Sequence, residues 1–195
     1  MTAAKCVTDR PLQVRAGSTY SSSGGTLHDV ITTHVHPNYT TTTGVADIAV
    51  LGLGNPIYLN SSAVGRAPLP FQDMEANIGM NSFIVGWSSD SLTTEPSEAL
   101  KFGIVSITDR DQCTSAHDHL PTPTLDSSQI CAFNPGVDFC KGGLGSPLFS
   151  AGVVIGLATY TVDCGVTSVP SIYTHTSRFT NWILNAASGQ PTNAI

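Results

Sequence analysis

Short stretches of apolar or alternating residues, separated by loops rich in Gly, Pro, Ser and Thr, are what most constrains the fold of this chain. Each stretch has the length of a β-strand and is bounded by residues that favour turns. The stretches are Leu12–Arg15, Leu27–His34, Ile48–Leu53, Ser82–Trp87, Leu100–Ile107, Gly152–Tyr160 and Ser171–Thr174. Their number and spacing predict an all-β fold, either a barrel or a sandwich.

Two segments have helical character. Apolar residues recur at i, i+3, i+4 and i+7 near the C-terminus, at Phe179, Trp182, Ile183 and Ala186. Ser177 precedes this pattern and is predicted to cap the helix. A second, short helix is predicted over Asp109–His117, and Phe71–Asn81 is predicted to connect two lobes.

The composition narrows the class of protein. The chain has 195 residues, of which 41% are hydrophobic and 11% charged, so it can bury a core and is predicted to fold as one domain or two fused lobes. The net charge is −6, with eight Lys and Arg. This balance argues against nucleic acid or an anionic membrane as the main partner, because both require clustered cations. The sequence contains no apolar run of membrane-spanning length.

The cysteines indicate an oxidising compartment. Their number is odd, at positions 6, 113, 131, 140 and 164, which suggests two disulfides and one unpaired thiol. Zinc is the competing explanation, but no two cysteines have the close spacing of a zinc knuckle. The glycosylation motifs that begin at Asn38 and Asn60 are compatible with secretion.

One loop carries the strongest chemical signal. Residues 140–148 read Cys-Lys-Gly-Gly-Leu-Gly-Ser-Pro-Leu, which resembles the nucleophile loop of the chymotrypsin/trypsin (S1) family of serine proteases, with Leu144 at the serine position. Residues 2–6 read Thr-Ala-Ala-Lys-Cys and resemble the family's Thr-Ala-Ala-His-Cys, with Lys5 in place of the histidine. A leucine offers no lone pair for attack on a carbonyl, and a lysine is normally a cation at neutral pH.

Further motifs follow in the family's order. They are Asp47–Leu51, Val85–Trp87, Asp138–Gly142, Gly156–Tyr160, Pro170–Thr174 and Phe179–Ile183. The resemblance implies a single S1-like domain over residues 1–187: a two-barrel fold with a C-terminal helix and a cleft between the barrels. Residues 1–72 would be the remnant of barrel one, without its N-terminal strands, and 82–187 barrel two with the helix. We expect residues 188–195 to form a flexible tail. Because the family has an Ile-Val-Gly-Gly segment upstream of the first motif, we also expect this chain to be a fragment of a longer product.

The resemblance also implies a degenerate catalytic triad at Lys5, Asp47 and Leu144, none of them functional. In the active family the serine attacks, the histidine transfers the proton and the aspartate orients the histidine. Asp47 is instead expected to pair with Lys5 and with neighbouring strand backbone. The oxyanion-hole positions are Gly142 and Leu144, and Gly143 stands where the family has an aspartate that orders this loop.

Ser146 carries the nearby hydroxyl that is the candidate substitute for the missing nucleophile. It lies two residues beyond Leu144, a displacement of roughly 6–7 Å in extended chain. That distance removes it from the base and the oxyanion hole. Its predicted role is therefore that of an ordinary turn serine.

The resemblance assigns the specificity pocket to Asp138, Thr161, Asp163 and Ser171. Asp138 matches the aspartate with which trypsin selects Lys and Arg, whereas Thr161 and Ser171 replace glycines and Asp163 replaces another small residue. The added side chains are predicted to narrow the pocket, and Asp138 to be held by local hydrogen bonds such as one from Ser171.

The resemblance likewise implies the disulfide pairing. Cys113 would be bridged to Cys131 and Cys140 to Cys164, with Cys6 unpaired.

The histidine pairs are weak candidates for metal binding. His34 and His36 would point to opposite faces of a strand, and His117 and His119 lie in a predicted loop with no third ligand in sight. We therefore expect neither a metal nor a cofactor.

Three functional hypotheses remain. The first is a secreted, catalytically inactive serine protease homologue that binds proteins in a regulatory, decoy or inhibitory role, its partners being proteases, protease-cascade proteins or immune proteins. The second is a trypsin-like serine endopeptidase, as family assignment would suggest. The third is a truncated, non-functional gene product.

Overall fold

In the computed structural model the chain forms one open sheet and one closed barrel. The structure describes residues 1–59, 62–91, 93–120, 125–162, 164 and 168–189. The first sheet has the order β1-β2-β3, with strands Gln13–Ala16, Thr26–Val35 and Ala49–Leu53. Both neighbours run antiparallel to β2, and a register shift lies between Val30 and Thr32. Thr2 adds a single bridge to Ala49, the start of β3.

The barrel has six antiparallel strands in the order β4-β5-β6-β9-β8-β7. They are β4 (Asn81–Gly86), β5 (Lys101–Thr108), β6 (Gln129–Phe133), β7 (Pro147–Ser150), β8 (Val153–Tyr160) and β9 (Ser171–His175). The all-β architecture predicted from the sequence, with a helix near the C-terminus, is confirmed.

Apolar side chains fill the barrel because alternate strand residues point inward. Its interior contains Ile84, Val105, Ile107, Ile130, Ala132, Phe139, Leu148, Ile155, Ala158 and Tyr173. Phe139 and Tyr173 meet edge to face with ring centroids 5.4 Å apart. The barrel core therefore fixes the start of the loop that follows Phe139.

In the described ranges, two α-helices cover the outside of the sheets. Helix α1 (Arg110–His117) begins after Asp109, whose carboxylate accepts the N–H groups of Asp111 and Gln112. Helix α2 (Thr180–Ala187) buries Trp182, Ile183 and Ala186 in a second core, which it shares with Ile48, Val50, Val154 and Leu157. Burial of each large side chain contributes about 1.5–3 kcal/mol. Helix α2 thus joins the first sheet to the barrel.

The predicted cap of the C-terminal helix is wrong. A 3₁₀ turn over Thr176–Phe179 precedes α2, and Phe179 occupies the cap position without a side-chain hydrogen bond. The hydroxyl of Ser177 instead bonds to Nε2 of His175 at 3.0 Å. The 3₁₀ turn moves the start of the helix past Ser177, so its hydroxyl cannot reach the free N–H groups of α2.

The segment 71–80 links the first sheet to the barrel along the 3₁₀ turn. The N–H of Asp73 donates to the Ser177 carbonyl at 3.0 Å, and Gln72 Nε2 donates to the Arg178 carbonyl at 3.1 Å. In the described ranges no helix is long and apolar enough to cross a membrane.

Candidate functional site

The loop between Phe139 and β7 is held against strand β8. The Gly143 N–H donates to the Cys140 carbonyl at 2.8 Å and closes a turn. The Gly145 N–H donates to the Ala158 carbonyl, also at 2.8 Å. Leu144 lies between these bonds and is 40% exposed as a residue. The position at the tip of the loop is therefore open to solvent and carries a hydrocarbon.

The N-terminal segment lies beside this loop. Sγ of Cys6 is 3.6 Å from the Leu144 carbonyl oxygen. A Cβ on Gly145 would come within 2.5 Å of Oγ1 of Thr2. Burial raises the pKa of the Cys6 thiol, so the thiolate is disfavoured. The fold thus brings residues 2–6 to the loop around Leu144.

Asp47 is fully buried next to Lys5. One carboxylate oxygen accepts the backbone N–H of Lys5 at 2.8 Å, and the other accepts the hydroxyl of Thr159. The backbone carbonyl of Asp47 accepts the hydroxyl of Thr174 at 2.9 Å. The carboxylate therefore ties together the N-terminal segment and strand β8.

The pairing expected between Asp47 and Lys5 involves the backbone of Lys5 rather than its ammonium group. Nζ of Lys5 donates to the Thr159 carbonyl at 3.1 Å, and the ion pairs of the described residues do not include Lys5 with Asp47. The Lys5 side chain is exposed, and the acceptor of its Nζ is a neutral carbonyl. This arrangement offers no free lone pair near Leu144.

Gly143 has no room for a side chain. A Cβ at this position would lie 2.7 Å from Cβ of Phe139 and 3.0 Å from Oγ of Ser88. Oγ of Ser88 also accepts the N–H of Cys140. Ser88 and Phe139 therefore occupy the space that a carboxylate side chain at Gly143 would need.

The segment after Trp87 packs over the same loop. The Ser89 N–H donates to the Lys141 carbonyl at 3.0 Å, and Nζ of Lys141 pairs with Glu95. A Cβ on Gly142 would meet Pro96 at 2.8 Å, and the φ of Gly142 is +81°. Glycine is required at position 142 both for space and for backbone conformation.

The pocket residues converge on Asp138. Its carboxylate accepts the hydroxyls of Thr161 and Ser171, and the N–H of Phe139 at 2.7 Å. The predicted hydrogen bond from Ser171 is present, and Thr161 supplies a second one. Asp163 lies outside the described residues. Because Asp138 has several protein donors, a Lys or Arg side chain would have to displace them in order to bind.

Ser146 lies next to strand β4. Its N–H donates to the Gly143 carbonyl at 3.1 Å, and its carbonyl accepts the Ala158 N–H at 2.9 Å. A Cβ on Gly86 would lie 2.5 Å from Oγ of Ser146. Its hydroxyl is therefore directed toward strand β4.

The histidine pairs do not form a metal site in the described part of the chain, where no group of three or more His, Cys, Asp and Glu could hold an ion. His36 packs against Phe179 and Trp182, with ring centroids 5.0 and 4.8 Å away, and burial lowers its pKa. Nε2 of His117 bonds to the Pro170 carbonyl at 2.8 Å. The His36 ring therefore packs against aromatic side chains, and the His117 ring is hydrogen-bonded to the backbone.

The disulfides join Cys113 to Cys131 and Cys140 to Cys164, and Cys6 is the free cysteine. These are the pairs that the family resemblance implies. The Cys140–Cys164 bridge anchors the start of the loop around Leu144. Of the two glycosylation motifs, Asn38 is exposed and Asn60 lies outside the described residues.

Sequence reasoning missed Thr159, Ser88 and Pro96. Thr159 contacts both Asp47 and Lys5, more than a hundred residues away in the chain. Ser88 and Pro96 contact the Cys140–Gly143 turn across roughly fifty residues. No local pattern marks such residues, because only the closed barrel brings them to the loop.

Comparisons with known proteins agree with this geometry. The trypsin family model matches residues 1–183. Trypsin alpha of Drosophila melanogaster is 33% identical over 193 residues, which cover 96% of this chain and 73% of that protein. Trypsin, alkaline B of Manduca sexta is 30% identical over 177 residues, covering 89% and 68%.

A similar solved structure is that of the scabies mite inactivated protease paralogue S-D1. The TM-score is 0.88, over 97% of this chain and 83% of the other, at 22% sequence identity. At this identity the likeness is one of fold.

Proposed function

We propose that this chain, which belongs to the trypsin family, is a serine protease homologue without peptidase activity that acts by binding other proteins. Membership rests on the family model over residues 1–183 and on relatives at 30% identity or more. The family is one of trypsin-like serine endopeptidases. In our proposal this member has lost peptidase activity and has retained the ability to bind proteins.

One observation carries the proposal: the exposed side chain at the nucleophile position is that of Leu144. Acyl transfer requires an oxygen, sulfur or nitrogen that can be activated at this point. Neither nearby heteroatom substitutes for it, because the hydroxyl of Ser146 is directed toward Gly86 and the pKa of the Cys6 thiol is raised by burial.

The general-base position supports the same conclusion. A base must have a lone pair within hydrogen-bond reach of the nucleophile. Nζ of Lys5 donates to the Thr159 carbonyl, which leaves it as a donor rather than an acceptor. Asp47, whose family role is to orient a histidine, binds backbone and hydroxyl groups of its own chain.

The proposed role is extracellular and regulatory, with the trypsin-like surface serving as a decoy or an inhibitor in place of an active enzyme. Two disulfides favour an oxidising compartment. The scabies mite protein of the same fold is described as an inactivated protease paralogue, so this architecture is compatible with loss of activity. The competing function is ordinary trypsin-like proteolysis, suggested by the names of the curated relatives.

The decisive experiment separates these functions. The purified chain is incubated with Lys- and Arg-linked peptide and ester substrates and with a serine-directed fluorophosphonate probe. We expect neither turnover above a mock preparation nor covalent labelling, because Leu144 and Lys5 cannot form an acyl-enzyme. Turnover together with a label on Ser146 would show that the chain is a protease.

Binding is tested separately with active trypsin and a protein substrate. A decoy or inhibitory role predicts that increasing amounts of the chain slow cleavage of the substrate to a plateau. The matched control is the same chain after reduction and unfolding, which should have no such effect. If the intact chain leaves the cleavage rate unchanged and binds neither protein, the binding role is wrong for these partners.

A rescue experiment tests whether restoring the two substituted triad residues is enough to restore peptidase activity. The double variant Lys5→His, Leu144→Ser is expected to remain far below ordinary trypsin activity. The loop still lacks a carboxylate at Gly143, whose side-chain space is occupied by Phe139 and Ser88. Loss of one oxyanion-hole donor alone costs about 10²–10³ in rate. Activity within roughly tenfold of trypsin would contradict this account of the loop.

A further inference from the structure

Arg66 is an exposed arginine in the long connection between β3 and β4. The ion pairs and side-chain hydrogen bonds of the described residues do not include it. The segment 64–70 around it contains neither a helix nor a strand and runs without a turn or a bend. The proposed function uses no residue of this segment.

The backbone of residues 65–67 is free as well. None of these three residues takes part in a backbone hydrogen bond with another described residue. The segment is held on either side of them. A Cβ on Gly17 would lie 3.1 Å from Cγ2 of Val64, and the Pro68 carbonyl accepts the Val154 N–H at 3.2 Å. Residues 65–67 therefore bridge two fixed points with their own N–H and carbonyl groups unpaired.

The space around these residues is open. No atom lies within 4 Å of a Cβ added at Gly65. A cavity of about 520 Å³ is lined by residues 65–67 on one side and by Phe83, Phe149 and Gly152 on the other. A second protein can therefore contact the backbone of this segment as well as its side chains.

The other seven Lys and Arg are less accessible to such a protein. Five of them lie in a strand, a helix or a 3₁₀ turn: Lys5, Arg15, Lys101, Arg110 and Arg178. Lys141 pairs with Glu95, and its carbonyl accepts the Ser89 N–H at 3.0 Å. Arg10 is exposed but precedes Pro11, which has no N–H and whose ring restricts the backbone before it.

An endopeptidase of the trypsin class recognises this combination of a free arginine and a free backbone. The carboxylate in its specificity pocket pairs with the guanidinium. Cleavage inside a strand or a helix requires local unfolding first, which costs free energy. Proteolytic nicking therefore concentrates where the backbone is exposed and not hydrogen-bonded. Residues 65–67 meet both requirements.

We propose that endopeptidases of the trypsin class cut this chain at the peptide bond between Arg66 and Ala67. The nucleophile of the protease forms an acyl bond with the Arg66 carbonyl carbon, and the amine of Ala67 leaves with a proton. Water then hydrolyses the acyl-enzyme, so the products carry a carboxylate on Arg66 and an amine on Ala67. The chain is the substrate in this reaction, so the proposal goes beyond the proposed function and does not depend on it.

The two products should stay together after the cut. Asp47 on the first product accepts the hydroxyl of Thr159 with its carboxylate and that of Thr174 with its backbone carbonyl, both on the second product. Ile48 and Val50 pack in the core that contains α2. None of these contacts involves residues 65–67, so hydrolysis removes none of them.

The test is a time course with active trypsin at a low molar ratio, followed by mass spectrometry of the intact products. The first products should be residues 1–66 and 67–195, formed at least about tenfold faster than any other pair. Size exclusion without denaturant should give one particle, which separates into two chains in denaturant. A cut at Arg66 in a parallel sample without trypsin would support this proposal and contradict the proposed function, since the chain itself would then be the protease.

Variants assign the recognition to one side chain. Arg66→Gln should slow the first cut roughly tenfold or more, because glutamine has no charge to pair with the carboxylate of the protease. Arg10→Gln is the matched control, since Arg10 is also an exposed arginine outside the strands and helices. It should leave the rate of the first cut unchanged. Urea denaturation should give the two variants equal stability, so a difference in rate reports recognition.

Three results would overturn the proposal. The first is the absence of cleavage, or a first cut at another Lys or Arg. The second is an undiminished rate in Arg66→Gln, or an equal slowing in Arg10→Gln. The third is a pair of products that separate without denaturant, which would show that cleavage follows unfolding of the chain.

Discussion

At the scale of single residues, the candidate site is defined by what the side chains cannot do. Leu144 has no atom that attacks a carbonyl, and Nζ of Lys5 is committed as a donor to Thr159. Gly143 differs from these two, because Phe139 and Ser88 occupy the space that a side chain at position 143 would need. A substitution at Gly143 therefore tests the packing of the loop independently of catalysis.

Gly143→Ala should destabilise the protein. The new Cβ would meet Cβ of Phe139 at 2.7 Å, and neither Phe139 nor the adjoining turn can shift without disturbing the barrel core. The expected loss is about 1–3 kcal/mol in the free energy of unfolding, measured by urea denaturation. The matched control is Gly65→Ala, where no atom lies within 4 Å of the added Cβ. Equal stability of the two variants would show that the loop has room at position 143.

At the scale of elements, β9 and the 3₁₀ turn after it form one of the most deeply buried segments among the described residues. All five residues of Ser171–His175 are buried, and the turn leads directly into α2. His175 lies at this junction. Its pKa is lowered to about 4, first by burial and then by the positive charge of Arg178, with Glu75 and Asp73 opposing.

The lowered pKa of His175 makes the free energy of unfolding depend on pH. The imidazole is neutral in the folded state down to about pH 4, whereas in the unfolded chain it takes up a proton below about pH 6.5. Its contribution to stability is therefore fully present above about pH 6.5 and is lost as the pH falls toward 4, up to about 3 kcal/mol in all.

Urea unfolding at about pH 7 and about pH 4.5 provides the measurement. His175→Gln should lose less stability between the two conditions than the unaltered chain, since glutamine does not titrate. His119→Gln, which removes an exposed imidazole, serves as the control and should behave like the unaltered chain. A His175→Gln variant with an undiminished loss at low pH would assign the effect to other groups.

At the scale of the whole molecule, the two halves are stabilised unequally. The barrel closes on itself, and both disulfides lie in this second half of the chain, across sequence separations of 18 and 24 residues. The chain-entropy model values such a cross-link at about 3 kcal/mol. The first sheet has three strands, and Leu27 and Ile31 on β2 are exposed. Strand β3 is better protected, because Val50 packs in the core with α2.

Hydrogen exchange should follow this division. Amides of β1 and the first half of β2 should exchange faster than those of β4–β9, since open edges permit local unfolding. Reduction of the disulfides should speed exchange in the barrel and leave β1 unchanged, because Cys6 is not bridged. Non-reducing peptide mapping is the accompanying control for the cysteine pairs. Exchange in β1 as slow as in the barrel would mean that the first sheet is stabilised by contacts other than those described.

Much of the fold could be predicted from local pattern. The stretches predicted as strands correspond to β1–β5, β8 and β9, and the short helix around Cys113 is α1. Strands β6 and β7 were missed. Strand β6 begins with a buried Gln129, and β7 is four residues long and starts with a proline, so neither has an alternating apolar pattern. Their places are fixed by the neighbouring strands of the barrel.

The sequence by itself determined the family and the residue types at the candidate site, on which the proposal of lost peptidase activity rests. Leu144 and Lys5 carry that proposal, because the reactivity of a site depends on the atoms of its side chains. Only the tertiary structure decided that Asp47 holds the Lys5 backbone, that Thr161 joins Ser171 on the Asp138 carboxylate, and that Ser88 and Phe139 fill the space beside Gly143. The physical reason is that hydrogen bonding and steric exclusion act between atoms a few ångströms apart, and barrel closure alone brings such distant residues to that separation.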